Sequence, residues 1–194
     1  MQVPVPVTLN GRYVRLEPMR ADHVDALWAV GNHAELWRYY YMPMRSHDDM
    51  RAYVTDALEH RAAGRMLPFV QVDAQSYTVV GSTRFGNIDV PNSKLEIGWT
   101  WISPSHQRSG INTGAKLLLL THAFETLGCI RVEFKADATN AKSRAAMERI
   151  GASFHGTLRR HMRPADGTQR DTVYYSVIDE EWPAVKAALI SKLR

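Results

Sequence analysis

The chain reads as a single α+β domain, a mixed central sheet with helices on its faces. Three observations lead there. Stretches with period-two alternation and stretches with an apolar stripe near period 3.6 give the order β-α-α-β-β-β-α-β-α-β-β-α. No repeat, low-complexity tract or linker interrupts that order. The 194 residues, 45% hydrophobic and 23% charged, have an ordinary globular composition and suffice for one sizeable core.

Residues 1–9 form an extended lead-in, because Pro4 and Pro6 exclude helix. Tyr13–Glu17 alternates apolar and charged residues as a first strand, which Pro18 ends. Asp22 can cap a helix carrying Val24, Leu27, Trp28 and Val30 on one face. The aromatic run Leu36–Pro43 has neither period. Asp48 or Asp49 opens a second helix to about Ala63, and Gly64 ends it. Leu67–Asp73, Tyr77–Phe85 and Leu95–Ser103 read as three strands. Gly81 inside the second predicts a bulge or a close backbone approach. Alternation on the third puts Glu96, Gly98, Thr100 and Ile102 on one face, and Ile97, Trp99 and Trp101 on the other. A helix with the stripe Leu117, Leu120, Phe124 and Leu127 stops at Gly128. Ile130–Ala136 is a strand, and Asn140 caps a helix over about Ala141–Ile150 with Gly151 past its end. Arg144 and Glu148 stand at i,i+4 on that helix's outer face. Ala152–Met162 and Asp171–Ile178 form a hairpin around Arg163–Gly167, and Glu180–Leu193 closes as a helix.

The stretch from Ser103 to Leu120 organises the rest. A strand ends at Ile102, Pro104 breaks the ladder, and a polar, glycine-containing turn leads into a helix. Such a turn leaves backbone N–H groups unpaired at a helix N-terminus, where the dipole favours an anion. Gly110 and Gly114 would let that backbone come close to a phosphate. Read alone, the stretch fits a phosphate-binding turn or a plain strand-to-helix turn. It is not a P-loop, since the glycine–lysine spacing is wrong and no Ser or Thr follows Lys116. Nor is it a dinucleotide fingerprint, because Asn112 stands at the second glycine position.

Composition excludes several classes. The one cysteine, Cys129, allows no intrachain disulfide and favours a reducing, cytoplasmic setting. No apolar run reaches the ~20 residues of a membrane span, and the N-terminus lacks the pattern of a signal peptide. A net charge of +4 suits an anionic cofactor but is too small to argue for nucleic acid. The basic run Arg159–Arg163 reads as a solvated strand end. The eight histidines show no metal-ligand spacing, so no metal is expected.

The element order joined to Gln107-Arg108-Ser109-Gly110-Ile111-Asn112, followed by Thr113-Gly114, resembles the GNAT superfamily of acetyl-CoA-dependent N-acetyltransferases. Its pyrophosphate turn is written Gln/Arg-x-x-Gly-x-Gly/Ala, and Asn112 departs from the usual small residue. Asp137-Ala-Thr-Asn140-Ala-Lys-Ser143, then Met147–Ala152, is similar to the Asn-x-x-Ser helix of the RimJ/RimL-like ribosomal-protein branch. The resemblance implies a mostly antiparallel sheet and acetyl-CoA as co-substrate, held by Gln107 to Gly114 chiefly through backbone N–H groups, with the Arg108 side chain adding charge. It implies a backbone N–H near Trp101 or Ile102 as oxyanion donor, and Glu96 as a general base acting through water. Ser143 would hydrogen-bond the leaving thiolate, and Asn140 would bind the cofactor arm, cap its helix, or both. Trp37, Tyr39, Tyr40 and Tyr41 would border the acceptor cleft and hold an amine by cation–π contact, or else serve as core or homodimer packing. Cys129 is read as packing, not as a nucleophile. The acceptor implied is a protein N-terminal amine or a small amine. The competing reading is a CoA-binding sensor or scaffold without turnover.

Overall fold

The computed structural model describes residues 1–194 other than 43, 165, 166 and 194, so the tip of the Arg163–Gly167 turn lies partly outside the described residues. The strands are β1 (Leu9–Asn10), β2 (Val14–Pro18), β3 (Leu67–Asp73), β4 (Val79–Asp89), β5 (Lys94–Ile102), β6 (Arg131–Asp137), β7 (Ser153–Met162) and β8 (Arg170–Ile178). The α-helices are α1 (Val24–Gly31), α2 (His47–Ala62), α3 (Ile111–Thr121), α4 (Ala141–Arg149) and α5 (Trp182–Ser191). The strands form one sheet in the order β1-β2-β3-β4-β5-β6-β8-β7. Every neighbouring pair is antiparallel except β5 and β6. This is the mostly antiparallel α+β architecture expected from the sequence. Among the described residues, no helix is long and apolar enough to cross a membrane.

Two apolar layers cover the sheet because the strands alternate their side chains. On one face Leu119, Leu120, Met147, Ile150, Val185 and Leu189 of α3, α4 and α5 meet Phe69, Phe85, Leu95, Ile97, Phe134 and Tyr175. On the other, Leu27 of α1 and Met50, Tyr53 and Val54 of α2 meet Val70, Val72 and Trp101.

Several boundaries differ from expectation for local reasons. Asp22 does not cap α1. Its carboxylate binds the Arg20 guanidinium at 3.0 Å, a hydrogen bond that lowers its pKa, while the Arg20 N–H donates to His23 Nδ1 at 3.1 Å. The second helix is capped by Ser46, and Asp49 returns a bond to the Ser46 N–H in a capping box. Tyr77 stands at φ 57° in the turn, and β4 begins at Val79 and runs on to Asp89. Leu120 and Leu127 are buried, but Leu117 and Phe124 are only half-buried. Ile111, Ala115, Lys116 and Leu119 take the sheet-facing positions of α3. A π-helical turn over His122–Thr126 shifts the phase before Gly128, at φ 71°, stops the chain. Glu148 is exposed, as expected of the outer face, and it also accepts from the Tyr175 hydroxyl of β8 at 2.8 Å, while the half-buried Arg144 donates to the Ala138 carbonyl at 3.3 Å. Part of the lead-in pairs as β1.

Gly81 is the close approach that the sequence predicts. A Cβ there would collide with the Trp101 carbonyl across the β4–β5 ladder. Gly81→Ala should therefore destabilise the fold by about 1–3 kcal/mol, read from the urea midpoint at unchanged m-value.

Candidate active site

The site begins where two strands part. β5 and β6 pair side by side only at Lys94↔Arg131, Leu95↔Val132 and Glu96↔Glu133. Beyond Glu96 the paired register ends, although β5 runs on to Ile102 and β6 to Asp137, so a V-shaped gap opens inside the sheet. β5 stays paired with β4 past that point. Trp99 and Thr100 together lie opposite the single residue Thr83, a β-bulge with Trp99 at φ 51°.

The bulge corrects the expected alternation. Leu95 and Ile97 belong to the α3 face before it, whereas Ile102 belongs to that face after it and Trp101 to the α2 face. Glu96 therefore shares a face with Trp101, not with Ile102. The Trp101 carbonyl accepts from Gln71 Nε2 at 3.2 Å, and Ser103 N–H donates to Val80 at 2.8 Å, so both turn toward the β3–β4 side. The intervening Ile102 turns the other way, and its carbonyl accepts from Gln107 Nε2 at 2.9 Å. Of the two amides named from the sequence, the Ile102 N–H is the one on the open side of β5.

At the mouth of the gap, Pro104–His106 makes one 3₁₀ turn and Arg108 adopts φ 60°. Ser109 Oγ donates to the His106 carbonyl at 2.6 Å and accepts from Ile111 N–H at 3.4 Å. Helix α3 starts without a side-chain cap. Among the described residues, the N–H groups of Arg108, Ser109, Gly110, Asn112 and Thr113 meet no protein acceptor. They form a cluster of orphan donors at the positive end of the α3 dipole, as anion binding requires. Asn112 costs this cluster nothing, since its own amide is one of the free donors. Lys142 of α4 donates to Gln107 Oε1 and brings a cation to the rim. The glycines act differently from expectation: a Cβ on Gly110 would stand 2.6 Å from the Tyr13 ring, and one on Gly114 3.3 Å from Val14. They let α3 lie close on β2.

Glu96 is 4% exposed. Its Oε2 accepts from Asn87 Nδ2 at 2.6 Å and pairs with Lys135 Nζ at 2.8 Å. Its Oε1 has no donor among the described residues and lies over Gly98, where a Cβ would come within 2.9 Å of it. Asn140 caps α4, its Oδ1 accepting from Ser143 N–H at 3.0 Å. The half-buried Ser143 hydroxyl has no protein partner among the described residues.

On the α2 face, a cleft of about 450 Å³ is lined by the aromatic run together with Arg38, Arg45, Asp137 and Arg170. The run divides its labour. Trp37 is buried against Tyr53 and Trp101, at ring separations of 5.6 and 5.3 Å, and donates to the Gly31 carbonyl, so it is core as well as floor. Tyr39 reaches the Thr139 carbonyl at 3.4 Å, and Tyr41 donates to Asp56 at 3.1 Å. Burial pushes the Tyr41 phenol up to about 12 and the Tyr40 phenol higher than its ordinary value, so both stay neutral donors at working pH.

Residues 14–153 match the acetyltransferase (GNAT) domain family. The chain belongs to the GNAT acetyltransferase family. A GCN5-related N-acetyltransferase from Brucella melitensis superposes with TM-score 0.92 at 33% identity, over 99% of this chain and 87% of that one. Mycobacterium smegmatis RimJ, solved in complex with CoA-disulfide, superposes with TM-score 0.83 at 25% identity, over 99% and 97% of the two chains. In sequence, the "Putative ribosomal N-acetyltransferase YdaF" of Bacillus subtilis (strain 168) is 39% identical over 109 residues, 56% of this chain and 58% of that protein. The match thus spans a little over half of that relative's length.

Two features of this GNAT domain escape a reading of the sequence. Arg84, fully buried on β4, stacks on Tyr53 at 4.5 Å and binds Asp56 at 3.2 Å, which fixes the acceptor of Tyr41. Lys116, 8% exposed on α3, reaches Thr100 Oγ1 at 3.1 Å. A lysine at i−4 from the buried Leu120 is the only sequence signal for it, and an isolated lysine on a helix is ordinarily solvated.

Burial pushes the Cys129 thiol up to about 11, which leaves roughly one molecule in a thousand as thiolate at pH 8. Its alkylation by iodoacetamide at pH 8 should be at least about tenfold slower in the folded chain than in urea, as intact mass will show. Gly110→Ala should cost about 1–3 kcal/mol by forcing the Tyr13 ring aside, measured as a fall in melting temperature.

Proposed function

We propose that this GNAT domain is an acetyl-CoA-dependent N-acetyltransferase that passes the acetyl group to a primary amine by direct attack in a ternary complex. One observation carries the reading: the gap between β5 and β6 has orphan backbone donors at its mouth and a separate aromatic cleft on the opposite face of the sheet. Two ligands could thereby meet across the sheet.

The orphan donors fit a pyrophosphate, so Arg108 to Thr113 would hold that group through their amides, with the Arg108 guanidinium and Lys142 adding charge. The co-substrate supplies an acetyl thioester, an acyl donor activated toward amines. The Ile102 N–H is the backbone donor available for a developing oxyanion. Glu96 Oε1 is free to accept a proton through a water, while Lys135 and Asn87 hold the other oxygen and fix the carboxylate plane. An α-amine of pKa ~8 is already partly neutral at pH 7, so a modest base suffices. Ser143, its N–H occupied by Asn140 and its hydroxyl free, can stabilise a leaving thiolate. Tyr39, Tyr40 and Tyr41 offer ring faces to an amine. The name of the YdaF relative, a putative ribosomal N-acetyltransferase, supports an amine of a ribosomal protein as acceptor.

Calorimetric titration with acetyl-CoA, then thiol release over N-terminal peptides and small amines, tests this. Binding with thiol release for one acceptor class is expected. Glu96→Gln and Ser143→Ala should each lower kcat by about tenfold or more with coenzyme affinity held. Binding without release from any acceptor would favour a non-catalytic CoA sensor, and no binding would remove the assignment.

A further inference from the structure

The gap between β5 and β6 contains an ionisable group that the proposed mechanism does not use. Lys116 projects from the sheet-facing side of α3. Its Nζ lies 3.1 Å from Thr100 Oγ1 on β5 and 5.6 Å from the centre of the Phe134 ring on β6. Thr100 is the second residue of the bulge, beyond the last position of β5 paired with β6, and Phe134 is the first β6 residue past the last paired position, Glu133. The ammonium therefore sits between the two strands where they have parted, on the α3 side of the sheet.

Its coordination is incomplete. A lysine ammonium has three N–H donors and no acceptor. One donor goes to Thr100, whose hydroxyl also contacts Thr83 Oγ1 at 2.8 Å on β4. Phe134 offers a π face. No other protein acceptor meets Nζ among the described residues. The charged group that faces it is Glu96 of β5, whose Oε2 is already taken by Lys135 and Asn87 from the other face. A buried cation short of acceptors is costly unless a ligand completes it.

We propose that Lys116 is a binding residue for the acyl-carrying arm of the coenzyme, its ammonium donating to a carbonyl oxygen of that arm in the gap between β5 and β6. This rests on the acetyl-CoA reading above. The arm suits the position chemically, since it alternates apolar methylenes with carbonyl oxygens, and Phe134 and Lys116 offer one partner for each. The carbonyl is either an amide, present in CoA itself, or the thioester, present only in acetyl-CoA.

The free state supports a distinctive signature. Burial brings the Lys116 amine down to about 7, opposed only by Glu96, so at pH 8 it is mostly neutral. A carbonyl acceptor favours the charged form and raises that pKa, so binding at pH 8 takes up a proton. The coenzyme's phosphates, with a second pKa of ~6, contribute little at that pH.

Titration calorimetry of the full chain at pH 8, in two buffers of different ionisation enthalpy, reads this directly with CoA and with acetyl-CoA. Wild type should take up a substantial fraction of a proton. Lys116→Met should bind acetyl-CoA about tenfold or more weakly, with that uptake lost. A loss shared by CoA assigns the amide carbonyl, and a loss confined to acetyl-CoA assigns the thioester. Wild-type affinity should also fall as pH rises from 7 to 9, a slope that Lys116→Met flattens. If Lys116→Met fails to fold, the wild-type proton count still decides: no uptake, or release, overturns the proposal. Tight binding by wild type with no proton uptake and no effect of Lys116→Met sinks the lysine's role alone. No binding of either coenzyme form by wild type sinks the coenzyme reading with it.

Discussion

The parting of β5 from β6 is the constraint on which the structure turns. Breaking a ladder in the middle of a sheet leaves backbone donors and acceptors without partners, and such groups are expensive when buried. This chain meets the cost from both sides. The bulge at Trp99–Thr100 lets β5 stay paired with β4 while its outer edge is released, and Gly81 allows that pairing to be tight. Gln107 satisfies the exposed Ile102 carbonyl from the turn that follows. The Ile102 amide on the same edge is the group that remains, and it is where the proposed chemistry needs a donor.

The two faces of the sheet then acquire separate duties. On the α3 face, Gly110 and Gly114 bring the helix down on Tyr13 and Val14, which fixes where its uncapped N-terminus points. On the α2 face, Trp37 and Trp101 anchor the aromatic run in the second core, and Arg84 with Asp56 sets the Tyr41 hydroxyl. Glu96 lies on the α2 face at the last paired position, held by Lys135 from β6. A carboxylate pinned through one oxygen and open at the other is oriented, and orientation is what a weak base acting through water requires.

Much of this was legible in the sequence because it is governed by local chemistry. Leu67–Asp73 was readable as a strand from its length and its β-branched and aromatic residues, and Asn140 as a cap from residue type alone. The turn at Gln107–Gly114 was legible because proline and glycine constrain backbone whatever surrounds them. The face of Glu96 was not, because one αL residue at Trp99 reverses the parity of all that follows, and nothing in a tryptophan's own preferences announces φ 51°. The place of Phe124 was not legible because a π-helical turn changes the phase after Thr121, nor was the role of the α3 glycines, because Tyr13 lies about a hundred residues away in sequence.

By itself the sequence determined the element order, the proline- and glycine-bounded turn before α3 and the family those motifs resemble, since each depends on backbone preferences a few residues long. Only the tertiary structure decided which amide opens into the gap, that Glu96 is tethered by Lys135, and that Lys116 is buried between parted strands. Those three are relations between distant segments, set by packing and strand register, and no local preference encodes them.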